Sequence, residues 1–499
     1  MLARHRRRLA LAALLHACAR THEPPTDDGS PLAGAAELAE PPAPAAPVAA
    51  SMIALPSEVR SAPPAAADDD AAQIVITDDD GSTDVVRFVA HAEVRLEPRA
   101  DAPVLGVVGF GERVRMVAEV DGEGCERPWV QVEPGGFVCA KHEPADGAPS
   151  RVMLPRIAAG GLVPGVYGKL REGQAQIFPT LDAAARGIGG TMPSAALTVR
   201  RIDVASAGGR SFWRTRHGYV AASEVRGLKG SRFRGVALGD DGLAQPLAWA
   251  RFRGDDGRIA VRSAPSPRAK IVARMRAREH ARVAETSLDG DFVRLAGLGW
   301  VARDEVRIAA ATSPPQGMLG TNERWIDIDI DEQVLVAYEG ARPVYATLVS
   351  TGRRTHDTPI GTFRIERKVA ERTMSSKPGD DEPYSVDRVP WTAYFTGSFA
   401  LHAAYWHGSF GERKSHGCVN LAPADARVLY RFTTPAIVPA WSEVHGSPAQ
   451  PGSLVRVRDD RHPAPPLYGY ALELANALPT RLAQSEDTAH AFANILGAG

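Results

Sequence analysis

Apolar and polar residues alternate in short runs over most of the chain, and a period of two is typical of β-strands. The clearest run is Trp325–Ile330, where isoleucine alternates with aspartate, and it predicts a strand with one solvent-exposed face. Val334–Tyr338 and Val344–Val349 follow as hairpin neighbours, with Glu339-Gly340 at the turn between them. We therefore expect a β-rich domain with few helices after the proline-rich break at Ser313-Pro314-Pro315.

Three similar groups of short strand-like runs come before that domain. The first begins at Val94–Pro98 and closes at Gly136–Cys139, and the third begins at Ile259–Pro265 and closes at Gly299-Trp300-Val301. A less regular middle copy closes at Gly218-Tyr219-Val220. The recurrence indicates a repeated module, and its pattern resembles the bacterial SH3-like domains often found on cell-wall enzymes. The resemblance implies three small barrels at residues 74–148, 150–228 and 235–310, the second being the weakest match.

Each of these modules carries a prominent tryptophan, at Trp129, Trp213 and Trp300. Such residues either stack against a ligand or pack between strands, and we favour packing. The ligand of the modules stays open.

Helix-forming sequences stand near the end of the chain. Pro423–Tyr430 has proline in its first turn and good helix formers after it, which predicts a short helix. Leu472–Leu496, in a tail of residues 461–499, is rich in Ala and Leu and favours another helix. Between Arg367 and Asp381 the chain is polar and rich in helix and strand breakers, and we expect a mobile flap there.

The first 18 residues have the layout of an export signal. A basic region at Arg4–Arg8 precedes a short apolar region, Leu9–Leu15, that cannot span a bilayer. Leu15-His16-Ala17-Cys18 resembles a bacterial lipobox with an atypical histidine, so the alternatives are lipidation of Cys18 and ordinary cleavage nearby. Residues 19–72 are dominated by Ala, Pro and Asp and are expected to form a disordered tether. We expect an exported protein of the periplasm or cell envelope, anchored in the membrane if Cys18 carries lipid.

Composition narrows the function classes further. The chain has 58 basic and 59 acidic residues, so it has no field to attract nucleic acid, and no nucleic-acid partner is expected. Cys125 and Cys139 lie fourteen residues apart in one β-rich segment. In an oxidising compartment they form either a disulfide, which we favour, or two buried free thiols. The sequence has no Cys-x-x-Cys pair, and neither a metal nor an organic cofactor is implied.

The candidate chemistry is concentrated in Ser415-His416-Gly417-Cys418-Val419-Asn420. A free thiol has a pKa near ~8.5, so a nucleophilic cysteine needs a nearby base or cation to become an exposed, activated thiolate. His416 is two positions from Cys418 and, on a strand or tight turn, points to the same side. His402 is separated from Ser415 by twelve residues, an excursion that can place two strand ends side by side. The spacing by itself leaves both histidines as candidates.

Four segments together resemble, in order and spacing, the L,D-transpeptidase catalytic domain of the YkuD family. They are Ser350-Thr351-Gly352, Thr358–Phe363, Leu401–His407 and Ser415–Leu421. The resemblance covers residues 318–460. It implies a β-sandwich-like domain with short helices and a cysteine transpeptidase that acts on the stem peptides of peptidoglycan.

The resemblance also implies roles for individual residues. His402 stands at the position of the general base, and we place His416 in a supporting role near Cys418. Gly417 permits a tight turn and close approach of a substrate carbonyl. We predict that the backbone amides of His416, Gly417 and Cys418 donate to the developing oxyanion.

Substrate contacts are predicted at Ser415, Asn420, His407, Tyr394 and Trp391. Asn420 stands where arginine is commoner in the family, so a positive charge that binds a substrate carboxylate must come from another residue. The alternative is that the Asn420 amide forms hydrogen bonds to the loop backbone. The alternative for His407 is a structural residue of the pocket wall or of a turn. Tyr394 and Trp391 lie in a segment that resembles the donor-cleft lining of relatives. The alternative for both is packing in the domain core.

The implied reaction forms an acyl-enzyme on Cys418 from a stem tetrapeptide and transfers it to an amine. The acceptor stays open between a second stem, which gives a 3-3 cross-link, a lysine of an envelope protein, and water. Two other interpretations remain: a carboxypeptidase or endopeptidase on the same scaffold, and a non-catalytic wall-binding protein.

Overall fold

The computed structural model describes residues 84–251, 257–376, 379–380 and 382–482, all within one compact unit. The predicted signal, Cys18, the tether and most of the predicted tail helix lie outside the described residues. Strands account for 44% of the described residues and helices for 8%, which confirms a mainly β fold.

The first module contains seven strands. They are β1 (Val85–Phe88), β2 (Ala92–Arg95), β3 (Val104–Val108), β4 (Arg113–Val120), β5 (Trp129–Val132), β6 (Phe137–Val138) and β7 (His142–Pro144). Trp129 is 1% exposed and lies inside this module. A disulfide joins Cys125 to Cys139, with Cα atoms 5.9 Å apart.

The second module combines six strands with one short helix. They are β8 (Val166–Leu170), α1 (Leu181–Arg186), β9 (Ala196–Arg201), β10 (Asp203–Ala207), β11 (Arg210–Thr215), β12 (Gly218–Ala221) and β13 (Val225–Leu228). Thr180 caps α1, because its hydroxyl accepts a hydrogen bond from the Ala183 amide.

The third module follows a short strand that pairs with the C-terminal domain. That strand is β14 (Val236–Ala237), and the module comprises β15 (Leu247–Ala250), β16 (Arg258–Arg262), β17 (Ile271–Arg276), β18 (His280–Thr286), β19 (Phe292–Leu295), β20 (Gly299–Ala302) and β21 (Val306–Ala309). The sheet order of the described residues closes none of the three modules into a barrel. The SH3-like assignment therefore stays a prediction.

The C-terminal domain has ten strands and two helices. They are β22 (Arg324–Asp329), β23 (Val334–Glu339), β24 (Arg342–Leu348), β25 (Gly361–Arg364), β26 (Arg367–Ser375), β27 (Tyr384–Thr396), β28 (Phe399–Ala403), β29 (Val419–Leu421), α2 (Pro423–Phe432), β30 (Trp441–His445), β31 (Leu454–Arg458) and α3 (Tyr470–Leu482). The predicted strands at β22 to β24 and the helix at α2 are confirmed. The predicted flap is wrong for its first nine residues, since these form β26, a strand of the long β26–β27 hairpin.

Two sheets enclose the core of this domain. One has the order β14-β24-β23-β22-β31-β25, and the other contains β26, β27, β28, β29 and β30. Apolar side chains from both sheets and from α2 meet in one cluster that includes Ile328, Val455, Leu401 and Leu429. Helix α2 therefore supports β28 and β29 from the core side.

Strand β22 has no solvent-exposed face, contrary to the alternation of isoleucine and aspartate. Asp327 is 1% exposed and accepts from Arg456 Nε at 2.6 Å and from Arg458 Nε at 3.0 Å. Asp329 accepts from Arg458 Nη1 at 2.8 Å. Strand β31 lies parallel to β22 and supplies both arginines. Their charges therefore offset the cost of burying the two aspartates of β22.

The sheets of the modules continue into the C-terminal domain. Strand β9 of the second module pairs in parallel with β27, and β3 of the first module pairs with β30. The third module packs Leu247 and Trp249 into a cluster with Trp325. Among the described residues, no helix is long and apolar enough to cross a membrane.

Candidate functional site

Two short parallel strands bring the predicted catalytic residues together. Strand β28 lies beside β29 with His402 opposite Asn420 and Leu401 opposite Val419. Cys418 directly precedes β29, and side chains two positions apart on a strand share a face. Cys418, His402 and Asn420 all line one cavity of about 420 Å³.

The thiol of Cys418 is half-buried rather than exposed, which differs from the predicted exposed thiolate. Burial raises its pKa to about 11, although a hydrogen bond from the Ala400 amide offsets part of the shift. The Sγ–H group points to the Ser398 carbonyl, with sulfur and oxygen 3.6 Å apart. Burial therefore favours the neutral thiol of Cys418 at neutral pH.

His402 is 2% exposed, and its ring stacks on Trp406 with centroids 5.7 Å apart. Its Nδ1 lies 3.2 Å from the Ala403 carbonyl oxygen, which can only accept, so Nδ1 carries the proton. Burial lowers the pKa of His402 to about 4. The neutral ring therefore presents an unprotonated Nε2, the state that a general base requires.

His416 is engaged differently. Its Nε2 lies 2.7 Å from Arg353 Nη2, so this nitrogen accepts a hydrogen bond from the guanidinium. Partial burial and then the charge of Arg353 hold the pKa of His416 below its ordinary value. Arg353 also pairs with Glu382 at 3.0 Å. The accepting nitrogen of His416 is thus occupied, which favours a positioning role.

The turn before Cys418 is held by hydrogen bonds within the loop. Gly417 has φ +112°, and a Cβ there would lie 2.5 Å from a Phe399 ring carbon. The Gly417 amide donates to Ser415 Oγ at 3.1 Å, and its carbonyl accepts from Thr358 Oγ1 at 2.7 Å. The Gly417 amide is therefore not free to bind an oxyanion, which corrects one of the three predicted donors.

The hydroxyl of Ser415 is also used inside the loop. It donates to the Cys418 carbonyl and accepts from Gly417, and the side chain is buried. Ser415 lines the cavity, but these bonds make it a positioning residue of the turn rather than the predicted substrate contact.

Asn420 and His407 bind each other. The Ser409 amide donates to His407 Nδ1 at 3.1 Å, so neutral His407 carries its proton on Nε2. That Nε2 lies 2.9 Å from the Asn420 amide group, whose oxygen must then face His407. Burial lowers the pKa of His407 to about 3. The pair forms a neutral wall of the cavity.

Two predicted substrate contacts lie elsewhere. Trp391 is 4% exposed and packs in the domain core with Phe395 and Leu401, so it stabilises the fold. Tyr394 is 7% exposed and packs with Val369 and Ala400, next to Cys418. Neither residue lines the cavity of Cys418. Both fit the core-packing alternative.

The cavity has lining residues that the sequence did not single out. Lys169, Thr198 and Arg226 come from the second module, and Trp406 and Lys414 from the C-terminal domain. No local motif marks the three residues of the second module, because they reach the cavity only through pairing of β9 with β27. In the described parts of the chain, no group of three or more His, Cys, Asp or Glu side chains is placed to hold a metal ion.

Comparison with known proteins assigns the C-terminal domain. Residues 323–457 match the family model of the L,D-transpeptidase catalytic domain, YkuD. Over 120 residues the chain is 29% identical to "Putative L,D-transpeptidase YciB" of Bacillus subtilis, an alignment that covers 21% of this chain and 59% of that protein. The predicted catalytic domain is confirmed for residues 323–457.

Similar solved structures include two L,D-transpeptidases. A cysteine-to-serine mutant from Enterococcus faecium is 19% identical, with TM-score 0.22, and the match covers 30% of this chain and 55% of that one. The enzyme from Mycobacterium smegmatis is 22% identical, with TM-score 0.23, and the match covers 36% and 81%. The E. faecium and B. subtilis matches each take in less than two thirds of the relative.

Proposed function

We propose that this protein is a peptidoglycan L,D-transpeptidase that uses Cys418 as its nucleophile. The supporting observation is that Cys418 and a neutral His402 line one cavity, on adjoining strands of a domain that matches the L,D-transpeptidase family. The substrate is the stem tetrapeptide of peptidoglycan. The scissile bond follows the diamino-acid residue, and terminal D-alanine leaves.

The protonation states define the order of proton transfers. As Sγ attacks the carbonyl, its proton passes to His402 Nε2, which is neutral and unprotonated because Ala403 fixes the proton on Nδ1. The imidazolium then gives this proton to the departing amine of D-alanine, which leaves a thioester. An acceptor amine loses a proton to His402 as it attacks the thioester, and Cys418 regains a proton when the product leaves.

The tetrahedral intermediate needs hydrogen-bond donors for its oxyanion. The Gly417 amide is occupied by Ser415, so we assign this role to the backbone amides of His416 and Cys418. One such donor is commonly worth ~3 kcal/mol in the transition state. A structure of an acyl adduct tests the assignment, and a carbonyl oxygen facing neither amide would reject it.

The decisive experiment is mass spectrometry of the protein after incubation with a carbapenem. Attack of Cys418 on the β-lactam carbonyl opens the ring, so the wild-type protein gains the full mass of the drug. The Cys418→Ala protein is expected to gain nothing. An equal adduct on both proteins would show that another residue is the nucleophile.

Products from a stem tetrapeptide identify the acceptor. A 3-3 dimer indicates transfer to a second stem, a peptide joined to protein lysine indicates anchoring, and a released tripeptide alone indicates the carboxypeptidase alternative. A wild-type protein that forms none of these products and no carbapenem adduct would favour the non-catalytic wall-binding alternative.

We also propose export and lipid attachment at Cys18, on the evidence of the basic and apolar regions and the lipobox-like Leu15–Cys18. Metabolic labelling with a radioactive fatty acid is expected to mark the wild-type protein in the membrane fraction. The Cys18→Ala protein should lose the label. A label that persists, or is absent from both proteins, would contradict lipidation of Cys18.

A further inference from the structure

One face of a continuous sheet forms a wall of the catalytic cavity. The sheet order β13-β8-β9-β27-β26 runs from the second module into the C-terminal domain. Five residues, one from each strand, are paired in register across this sheet. Side chains of residues paired on neighbouring strands point to the same face of a sheet. They are Arg226, Lys169, Thr198, Val386 and Met374, and all five line the cavity of Cys418.

The charged side chains that line this cavity are basic. Lys169 and Arg226 of the second module, together with Arg353 and Lys414, line it, whereas none of its described lining residues is Asp or Glu. Arg353 is held by Glu382 and His416. Within the described residues neither Arg226 nor Lys414 forms an ion pair. The cavity is therefore suited to an anionic ligand.

The pairing of Lys169 with Arg226 is unfavourable for folding by itself. The two residues lie directly opposite each other on antiparallel β8 and β13, where like charges repel. Lys169 has one partner, Glu172, at 2.7 Å, but this pair is exposed and adds little stability. An anion bound between the two cations would relieve the repulsion.

The second module is held firmly against the C-terminal domain, so these cations have a defined place in the wall. The Tyr167 ring stacks on Tyr405 with centroids 4.0 Å apart, and Arg200 Nη1 lies 2.9 Å from both carboxylate oxygens of Glu371. His217 Nε2 lies 3.1 Å from the buried Asp387 carboxylate. Together with the β9–β27 pairing, these contacts fix the module at the cavity.

The C-terminal domain itself lacks a charge at the position of Asn420, whose amide is bound to His407. We propose that Lys169 and Arg226 of the second module form a carboxylate-binding site that takes free carboxylates of the stem peptide in the cavity of Cys418. The inference rests on the proposed peptidoglycan substrate. It makes the second module part of the substrate site and makes the enzyme selective for stems with free rather than amidated carboxylates.

The test measures binding separately from turnover. Calorimetry with full-length Cys418→Ala protein compares a stem tetrapeptide whose carboxylates are free with the same peptide as carboxamides. We expect the free acid to bind about tenfold more tightly, because charge-assisted hydrogen bonds are lost on amidation. Adding Lys169→Gln and Arg226→Gln should abolish the preference while leaving the affinity for the amidated peptide unchanged. Higher salt should also reduce the preference.

A matched control is Arg214→Gln. Arg214 is an exposed arginine on β11 of the same module and does not line the cavity, so its replacement should leave the preference intact. The Lys169→Gln/Arg226→Gln protein should have an unchanged or higher Tm, because cross-strand repulsion is removed. A lower Tm with the preference retained would indicate a purely structural role and overturn the proposal.

The remaining outcomes separate this inference from the proposed function. Equal affinity for both peptides, or no measurable binding of either, overturns the carboxylate site. If the preference is observed but protein with intact Cys418 releases no D-alanine, the transpeptidase proposal fails and the carboxylate site stands.

Discussion

Cys418 and His402 carry pKa shifts in opposite directions for the same reason. Burial disfavours the charged form of each, so it raises the pKa of the thiol to about 11 and lowers that of the imidazole to about 4. For His402 the shift opposes folding in acid. As pH falls from 6.5 towards 4 the unfolded chain binds a proton that the folded chain does not, so this contribution to stability rises with pH across that window.

The first prediction concerns the resting state of this pair. Far-ultraviolet difference spectra between wild type and Cys418→Ala should show no thiolate absorbance at pH 7, and the thiolate should appear only as pH rises towards about 11. A thiolate–imidazolium pair would instead absorb throughout the neutral range. Thiolate absorbance at pH 7 would therefore contradict the neutral pair.

A second prediction separates the two histidines. His402→Gln removes the base and should lower kcat by about 10²- to 10⁴-fold, with little change in KM. His416→Gln keeps a side chain that can accept from Arg353 and should lower kcat less than about tenfold, since His416 acts through position. Steady-state release of D-alanine measures both. Equal losses in the two variants would reverse the assignment.

At the scale of elements, the β28–β29 pair and the turn before β29 set the site. The third prediction is that Gly417→Ala destabilises the protein by about 1–3 kcal/mol and abolishes acylation, because it combines a left-handed backbone with a clash. The added Cβ would meet Phe399 at 2.5 Å, and any relief of this contact displaces the neighbouring Cys418.

Gly411→Ala is the matched control for that variant. Gly411 also has positive φ, at +94°, but a Cβ there would meet its nearest neighbour, Leu348, at 3.6 Å, an ordinary contact. Thermal unfolding and carbapenem acylation compare the two proteins. Acylation that survives in Gly417→Ala would show that the turn tolerates a side chain.

At the scale of the whole molecule, the first module is joined to the C-terminal domain through β3 and β30 but supplies none of the described residues that line the cavity. The fourth prediction is that Cys125→Ser with Cys139→Ser lowers stability by about 3 kcal/mol, as expected for a loop of this length. The residues are 14 positions apart. Tm should fall while kcat stays unchanged, and a loss of kcat at a temperature where the variant is folded would contradict this division of roles.

Local sequence patterns predicted individual strands and helices, but not the distant residues that each of them contacts. Residues in β22 and α2 could be assigned from alternation and from Pro423, because these signals depend on near neighbours in the chain. The burial of Asp327 could not, since it depends on Arg456 and Arg458 across 129 and 131 positions. Strand β26 is not evident from its mostly polar sequence, because pairing with β27 on one side and β30 on the other supports it.

The sequence by itself determined the candidate chemistry: a cysteine in a Ser-His-Gly-Cys segment, an upstream histidine, and a domain whose family match is confirmed at residues 323–457. These are properties of short segments and their order. Only the tertiary structure decided which groups are free to react. It placed the proton of His402 on Nδ1, occupied His416 with Arg353 and the Gly417 amide with Ser415, and brought Lys169 and Arg226 to the cavity. The physical reason is that hydrogen-bond partners, burial and charge in the site come from residues far apart in the chain, which become neighbours only when the sheets form.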